Sequence, residues 1–131
     1  MKVAYVDTSC VVAIACDEPG AGAVVDRLES YDVLASSTLF EAELISALKR
    51  EGVADLLGAS DLSARISWIL PDRPLTAEIQ RAARVGAPRG TDVWHLASAL
   101  YLAEDAASID FLTLDLPQRR AARALGFEVP V

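Results

Sequence analysis

The sequence predicts an α/β fold in which a parallel sheet lies between layers of helices. Short apolar runs alternate with helical stretches along the whole chain, as in strands joined by crossover helices. Hydrophobic residues make up 53% of the chain but aromatic residues only 6%, and small aliphatic side chains suit strands buried under helices on both faces. The length of 131 residues fits one domain, 1–131.

Each predicted strand is a short apolar run, and a turn or a helix start interrupts it. The predicted strands cover 2–6, 32–35, 68–70, 109–114 and 127–131. Favoured N-cap residues begin several helices, as Thr8, Ser9, Thr38 and Thr91 do, and Gly126 ends the last one. The first predicted helix follows residues 7–9. The later predicted helices cover 21–30, 38 to about 50, 53 to about 66, 75–85, 91 to about 103, and 117–125.

Charge and composition exclude several functional classes. The net charge of −7 disfavours a protein that coats nucleic acid through non-specific phosphate contacts. No apolar run approaches the ~18 residues that cross a bilayer, so no membrane partner is expected. Cys10 and Cys16 fit neither a zinc spacing nor a disulfide framework, which predicts reduced thiols and a cytoplasmic protein. With a single His in the chain, zinc and Cys–His catalysis have little support.

Four carboxylates stand where a parallel α/β sheet places its ligands, near the carboxyl ends of the strands. Asp7 ends the first strand, Asp115 ends the fourth, Asp92 opens a helix after a Gly-rich turn, and Glu43 lies early in a helix. Gathered carboxylates repel one another unless cations neutralise them, and Mg²⁺ or Mn²⁺ prefers oxygen ligands. Such a site can activate water for in-line attack on a phosphodiester.

Simpler structural roles compete with metal binding at each of these positions. Asp7 and Asp115 could only cap the helices that follow them, and Asp92 could only favour a helix dipole. Glu41 and Glu43 flank the apolar face of their helix about equally, so periodicity alone does not choose between them. A further carboxylate, at position 110, stands at the entry end of the fourth strand and is expected to be structural.

Four segments together resemble PIN-domain ribonucleases of the VapC toxin type. Residues 3–9, Val-Ala-Tyr-Val-Asp-Thr-Ser, resemble the opening strand of the family, and 37–44 resemble its S-x-L-x-x-x-E-L segment, which favours Glu43. Residues 91–100 resemble the D-x-x-H-L-A-x-A-L helix, although Trp94 is bulkier than the family pattern. The last resemblance is to the F-x-T-x-D and A-A-x-x-L-G ending, at 111–115 and 121–126.

The resemblance implies a three-layer PIN-like fold with a five-stranded parallel sheet in the order 3-2-1-4-5. It also implies an endoribonuclease that hydrolyses RNA phosphodiester bonds and acts as the toxin of a toxin–antitoxin pair. The cofactor would be Mg²⁺, with Mn²⁺ as a substitute, held by Asp7, Glu43, Asp92 and Asp115. The implied partners are the RNA substrate, a cognate VapB-type antitoxin and a second copy of the chain in a homodimer.

Other polar residues near these motifs are candidates for supporting roles. The hydroxyls of Thr8, Ser9 and Thr113 could orient the carboxylates or contact substrate, and they could equally cap helices. His95 could be a general base, but a structural role is the stronger interpretation because a metal-bound water needs no imidazole. The arginines that could contact RNA phosphates are Arg89, Arg119, Arg120 and Arg123.

Two other functional classes remain as alternatives on the same scaffold. A non-catalytic binding module would not need the carboxylates for chemistry, although all four are present. A phospho-acceptor domain would need a clustered acidic pair after the first strand and a lysine near the end of the sheet. Asp7 stands alone, and the only lysines are Lys2 and Lys49, so this class is the weaker alternative. The sequence identifies neither the RNA nor the antitoxin.

Overall fold

The computed structural model describes residues 1–52, 57–86 and 89–130. Strands and helices alternate along these residues. The strands are β1 (Val3–Val6), β2 (Val33–Ser37), β3 (Ile66–Ile69) and β4 (Asp110–Leu112). The helices are α1 (Thr8–Ala15), α2 (Ala21–Glu29), α3 (Leu39–Arg50), α4 (Leu57–Ala64), α5 (Thr76–Ala83), α6 (Gly90–Leu102) and α7 (Leu116–Ala124), with a 3₁₀ turn at Ala106–Ser108.

The four strands form one parallel sheet in the order β3-β2-β1-β4. In the centre, Tyr5 of β1 pairs with Ala35 of β2 on one side and with Phe111 of β4 on the other. These pairings confirm the predicted α/β class and the predicted neighbours of the first four strands. Because all strands run the same way, their carboxyl ends meet at one edge of the sheet, where the acidic residues were expected.

The predicted fifth strand is reduced to one bridge beside β4. Glu128 pairs in parallel with Asp110, and the amide of Phe111 donates to the Glu128 carbonyl at 2.7 Å. Pro130 has no amide hydrogen to extend the ladder, and Val131 lies outside the described residues. Within the described residues the sheet therefore has four strands rather than five, and Glu128 lies where the fifth strand was expected.

The other differences from the predicted bounds are shifts of a few residues. The helix expected to reach about residue 66 ends at Ala64, and Ile66 instead begins β3, opposite Leu34 of β2. Burial of this β-branched side chain against the sheet outweighs the weaker helical pattern. Leu70, expected in the strand, is exposed. The predicted start of that helix, 53–56, and part of the predicted loop at 86–90 lie outside the described residues.

Alternate residues of the central strand enter two separate cores, which gives the fold its three layers. Tyr5 packs with residues of α5, α6 and α7 on one face of the sheet, whereas Ala4 and Val6 pack with residues of α1, α2 and α3 on the other. Cys10 is buried in the second core, and both cysteines are free thiols. None of the helices in the described part of the chain is long and apolar enough to cross a membrane.

Candidate functional site

A cleft of about 450 Å³ opens at the carboxyl edge of the sheet. Its walls come from the ends of β1 and β4 and from α1, α3 and α6. All four predicted carboxylates lie in these walls, so the fold brings together residues that are far apart in the sequence. The lining residues are Asp7, Thr8, Ser9, Val12, Ala42, Glu43, Ser46, Ala47, Arg50, Arg89, Asp92 and Asp115.

Asp7 is buried directly after β1 and occupies the N-cap position of α1, but its side chain makes no capping hydrogen bond. One oxygen, Oδ2, instead accepts a hydrogen bond of 2.6 Å from Thr113 and a longer one of 3.4 Å from Ser9. Burial raises the pKa of Asp7, and the nearby charges of Glu43 and Asp92 raise it further, while Thr113 and His95 act in the opposite direction. A capping role alone therefore does not account for the contacts of Asp7.

Glu43 lies on the face of α3 that borders the cleft, whereas Glu41 is exposed and does not line it. The structure therefore separates two residues that helical periodicity could not. Glu43 Oε1 accepts a hydrogen bond of 3.1 Å from Thr8 and another from His95 Nε2. Burial raises the pKa of the Glu43 carboxyl, but these hydrogen bonds and nearby positive charge outweigh burial and hold the pKa below its usual value.

Asp92 is buried in the first turn of α6, and Asp115 occupies the N-cap position of α7 without a capping bond from its side chain. Arg89 Nε donates to Asp92 Oδ2 at 3.1 Å, and the buried Gln118 amide donates to the Asp92 carbonyl at 3.0 Å. The N-cap of α6 is Arg89 rather than Thr91, because the backbone is extended at Arg89 and helical from Gly90.

The predicted hydroxyls connect the carboxylates rather than cap helices. Thr8 donates to Glu43, and Thr113 donates to Asp7. Ser9 lies within 3.3 Å of the Thr113 hydroxyl and accepts from the Leu114 amide at 3.0 Å. Residues from α1 and from the end of β4 thus form one hydrogen-bonded floor beneath the cleft.

The predicted arginines separate into two groups. Arg89 borders the cleft, and its side chain is 71% exposed. Arg119 and Arg123 donate to the carbonyls of Thr113 and Val129, and, like the exposed Arg120, they do not line the cleft. Of the four, the position of Arg89 alone fits a contact with a ligand in the cleft.

His95 is 1% exposed and lies behind the cleft rather than in its wall. Its Nε2 contacts Glu43 and stands 3.9 Å from Asp7 Oδ1, and its Nδ1 contacts the Tyr5 hydroxyl at 2.6 Å. A general base must reach the proton that it removes. The burial of His95 therefore favours the structural interpretation over a role as general base.

Residues 4–124 match the model of the PIN domain family. The chain belongs to the PIN-domain family. PIN is a nuclease-type fold family, and its members typically use divalent metals. No curated protein matches this PIN domain.

The donor atoms of the PIN-domain cleft fit a hard divalent ion in their chemistry, since all four acidic groups offer oxygen. In Asp7, Glu43 and Asp92, one oxygen accepts the hydrogen bonds described above, and within the described residues the other accepts none. Nowhere in those residues do three or more His, Cys, Asp or Glu side chains converge closely enough to hold a metal ion. The side chains present thus supply suitable oxygen atoms, but these atoms would have to move closer together to bind one ion.

Arg50, Tyr5 and Gln118 belong to the site or its support but were missed by reasoning from the sequence. Arg50 lines the cleft from the last turn of α3. Its spacing from Glu43, with Ser46 between them, follows one face of the helix, and this spacing was the available signal. Tyr5 and Gln118 gave no such signal, because each touches the site through a contact between distant parts of the chain.

Proposed function

We propose that this PIN domain is a metal-dependent endoribonuclease and acts as the toxin of a toxin–antitoxin pair. The observation that carries the proposal is the meeting of four carboxylates, from four separate parts of the chain, in one cleft of a PIN fold. Within the described residues, neither Asp7 nor Asp115 makes the side-chain bond that a capping role would require. The buried, raised-pKa Asp7 is typical of a functional site, where charge is held at a cost.

Asp7, Glu43, Asp92 and Asp115 are the residues that would hold Mg²⁺ or Mn²⁺. When bound, the ion supplies a water of lowered pKa and stabilises negative charge on a phosphate. The protein's own contribution is to fix the oxygens. Thr113 and Ser9 hold one oxygen of Asp7, and Thr8 and His95 hold one oxygen of Glu43, which leaves the second oxygen of each carboxylate for an ion.

Arg89 is the group in the cleft best placed to meet a phosphate. Its side chain is mostly exposed and reaches Asp92 through Nε alone, and a guanidinium has further N–H donors for phosphate oxygens. Arg50 adds a second positive charge to the wall of the cleft. A few placed cations suit a protein whose net charge is −7, because bulk attraction cannot bring in the polyanion.

The RNA substrate, the toxin role, the VapB-type antitoxin, the homodimer and the cytoplasmic location are supported by the resemblance of the motifs to VapC-type PIN domains. The metal-bound site would cleave a phosphodiester by in-line attack of water and leave 5′-phosphate and 3′-hydroxyl ends. An antitoxin would block this cleft.

The test is cleavage of a pool of structured cellular RNAs by the purified protein, without any partner, in Mg²⁺, in Mn²⁺ and in EDTA. The matched variants are Glu43→Gln and Glu41→Gln, which change the same residue type on the same helix, inside and outside the cleft. We expect discrete fragments with either ion, none in EDTA, loss with Glu43→Gln and normal cleavage with Glu41→Gln. Cleavage that persists in EDTA, or with Glu43→Gln, would refute the proposal.

A non-catalytic PIN module is the second candidate, and the lack of a converged set of three ligands in the described residues favours it. Titration with Mn²⁺ separates the two candidates. Saturable binding that Asp92→Asn abolishes supports the nuclease, whereas a protein that neither binds Mn²⁺ nor cleaves RNA supports the module. The phospho-acceptor alternative gains nothing from the structure, since neither Lys2 nor Lys49 lines the cleft.

A further inference from the structure

A continuous run of hydrogen bonds crosses the core behind the cleft and ends on Glu43. It begins at the Ser37 amide at the end of β2, which donates to the Tyr5 hydroxyl at 3.3 Å. The Tyr5 hydroxyl contacts His95 Nδ1 at 2.6 Å, and His95 Nε2 contacts Glu43 Oε1. Tyr5 and His95 are 0% and 1% exposed, so water does not compete for these contacts.

The chemistry of the partners fixes the direction of every bond in this run. An ionised carboxylate only accepts, so His95 Nε2 carries a hydrogen and donates it to Glu43. The Ser37 amide only donates, so it uses a lone pair of the Tyr5 oxygen. Burial raises the pKa of the Tyr5 hydroxyl, which therefore keeps its proton and can donate it to His95 Nδ1. A ring that carries its hydrogen on Nε2 then satisfies every polar group in the run.

The Tyr5 ring is itself held rigidly. It stacks on Phe111 with ring centroids 5.2 Å apart and an interplanar angle of 12°, and it meets the His95 ring edge-on at 5.7 Å. Tyr5 and Phe111 are also paired neighbours in β1 and β4. The Glu43 side chain, in contrast, is 31% exposed on a helix surface and would sample several rotamers if nothing held it.

We propose that Tyr5 and His95 are positioning residues that hold the Glu43 carboxylate beside Asp7, with Oε2 left for a divalent cation. The inference deepens the proposed function and rests on it. His95 Nε2 stands between the two carboxylates, in contact with Glu43 and 3.9 Å from Asp7 Oδ1. Neither residue needs to touch substrate, because both act through the orientation of Glu43. Through these hydrogen bonds, β1 and β2 of the sheet help to hold the side chain of Glu43, which belongs to α3.

The experiment measures the affinity for Mn²⁺ alone, by the electron paramagnetic resonance signal of the free ion, in Tyr5→Phe, His95→Gln and His95→Leu. Loss of a group that orients a metal ligand typically lowers affinity by about 10- to 100-fold. We expect that range for His95→Leu and a smaller loss, about threefold to tenfold, for Tyr5→Phe, which keeps the ring but loses the donor. The Gln amide N–H can still donate to Glu43, so His95→Gln should recover part of the affinity lost in His95→Leu.

Ser98→Ala is the packing control, since Ser98 is buried on the same helix as His95 and its hydroxyl has no partner in the described residues. We expect unchanged Mn²⁺ affinity for Ser98→Ala, and a lower kcat with an unchanged KM for RNA in Tyr5→Phe. If Tyr5→Phe and His95→Gln fold with wild-type thermal stability and bind Mn²⁺ as the wild type does, the positioning proposal is wrong, even if His95→Leu does not fold.

The outcome for the wild type separates this proposal from the proposed function. A wild type that binds Mn²⁺ and cleaves RNA, with variants that bind equally well, overturns only the positioning role. A wild type that binds Mn²⁺ without cleaving RNA, with variants that bind more weakly, overturns the ribonuclease and supports the positioning role. A wild type that does not bind Mn²⁺ overturns both.

Discussion

The two ends of the parallel sheet both carry acidic residues, yet they use them differently. At the amino end, Asp110 accepts a hydrogen bond from the Tyr31 hydroxyl, and Asp32 accepts one of 2.6 Å from the Lys2 backbone nitrogen. The Lys2 ammonium lies 4.6 Å from the centre of the Tyr31 ring, so a positive charge accompanies this cluster. Asp110, at the start of β4, is thus bound to Tyr31, which lies just before β2. Asp32, also just before β2, is bound to Lys2, which lies just before β1.

At the carboxyl end, the acidic residues face one another across a cleft. Asp7 is buried near Glu43 and Asp92, and its pKa is raised by that burial and by their charge. Hydroxyls satisfy one oxygen of Asp7 without neutralising it. The comparison shows that the same residue type stabilises one end of the sheet and strains the other, which is the pattern expected when function is maintained at the expense of stability.

The largest expected effect is on activity and contrasts the two ends directly. Asp7→Asn removes a proposed metal ligand, so we expect cleavage of RNA to fall by at least about 100-fold. Asp110→Asn keeps an acceptor for Tyr31 at the other end, and its activity should stay within about twofold of the wild type. Initial rates of cleavage in Mg²⁺ measure both. A large loss in Asp110→Asn would show that the two ends are not functionally separate.

The next effect is on stability and concerns the amino end. Tyr31→Phe removes the hydrogen bond to the Asp110 carboxylate, and a bond to a charged group contributes about 1.5 kcal/mol. We expect the free energy of unfolding to fall by about that amount in urea titrations, with little change in RNA cleavage at saturating substrate. Unchanged stability would mean that this bond does no more than replace one to water.

A smaller effect, of opposite sign, is expected at the carboxyl end without metal. The pKa of Asp7 is raised on folding, so folding is favoured while Asp7 is protonated, and this advantage is lost as the pH rises through the folded-state pKa. At pH 7 the ionised Asp7 is therefore unfavourable, and Asp7→Asn should stabilise the metal-free protein by about 1 kcal/mol.

The advantage of Asp7→Asn should shrink as the pH falls through the raised folded-state pKa of Asp7, and it should be absent below about 4, where Asp7 is protonated in the unfolded chain as well. Thermal unfolding of the wild type and of Asp7→Asn in EDTA, at a series of pH values, measures this difference in stability. A variant that is less stable than the wild type at pH 7 would show that the hydrogen bonds to Asp7 outweigh its buried charge.

The smallest expected effect concerns the outer wall of the cleft. Arg50→Ala removes a cation that lines the cleft at the end of α3, and we expect the KM for RNA to rise about threefold with kcat unchanged. Lys49→Ala is the matched control, because Lys49 is exposed on the same turn and does not line the cleft. Equal effects of the two variants would assign the change to net charge rather than to a contact.

Local patterns predicted the alternation of strands and helices, the positions of the four strands to within a few residues, and the acidic residues near their carboxyl ends. Asp7 and Asp115 were identifiable because each ends an apolar run just before a helix start. Glu43 was not separable from Glu41 by periodicity, since both flank the same apolar face, and only the motif resemblance favoured it. The local pattern predicted that Ile66 ends a helix, but its burial against the sheet places it in β3 instead.

The contacts that support the site could not be predicted, because they join distant parts of the chain. Tyr5 and His95 are 90 residues apart, and the sequence gives each an ordinary place in a strand or a helix. Glu128 shows the same limit in the fold. An apolar run predicted a full strand there, but one parallel bridge to Asp110 is all that the end of the chain forms in the described residues.

The pairing of β1 with β4 also has a consequence for the order of events during synthesis. Asp7 leaves the ribosome well before the residue whose hydroxyl holds it, because that residue is Thr113, 106 positions later. A nascent chain that stops before β4 has neither this contact nor Asp115. The complete cleft can therefore form only after β4 and Asp115 have been synthesised, so a nascent chain that stops earlier lacks part of the proposed metal site.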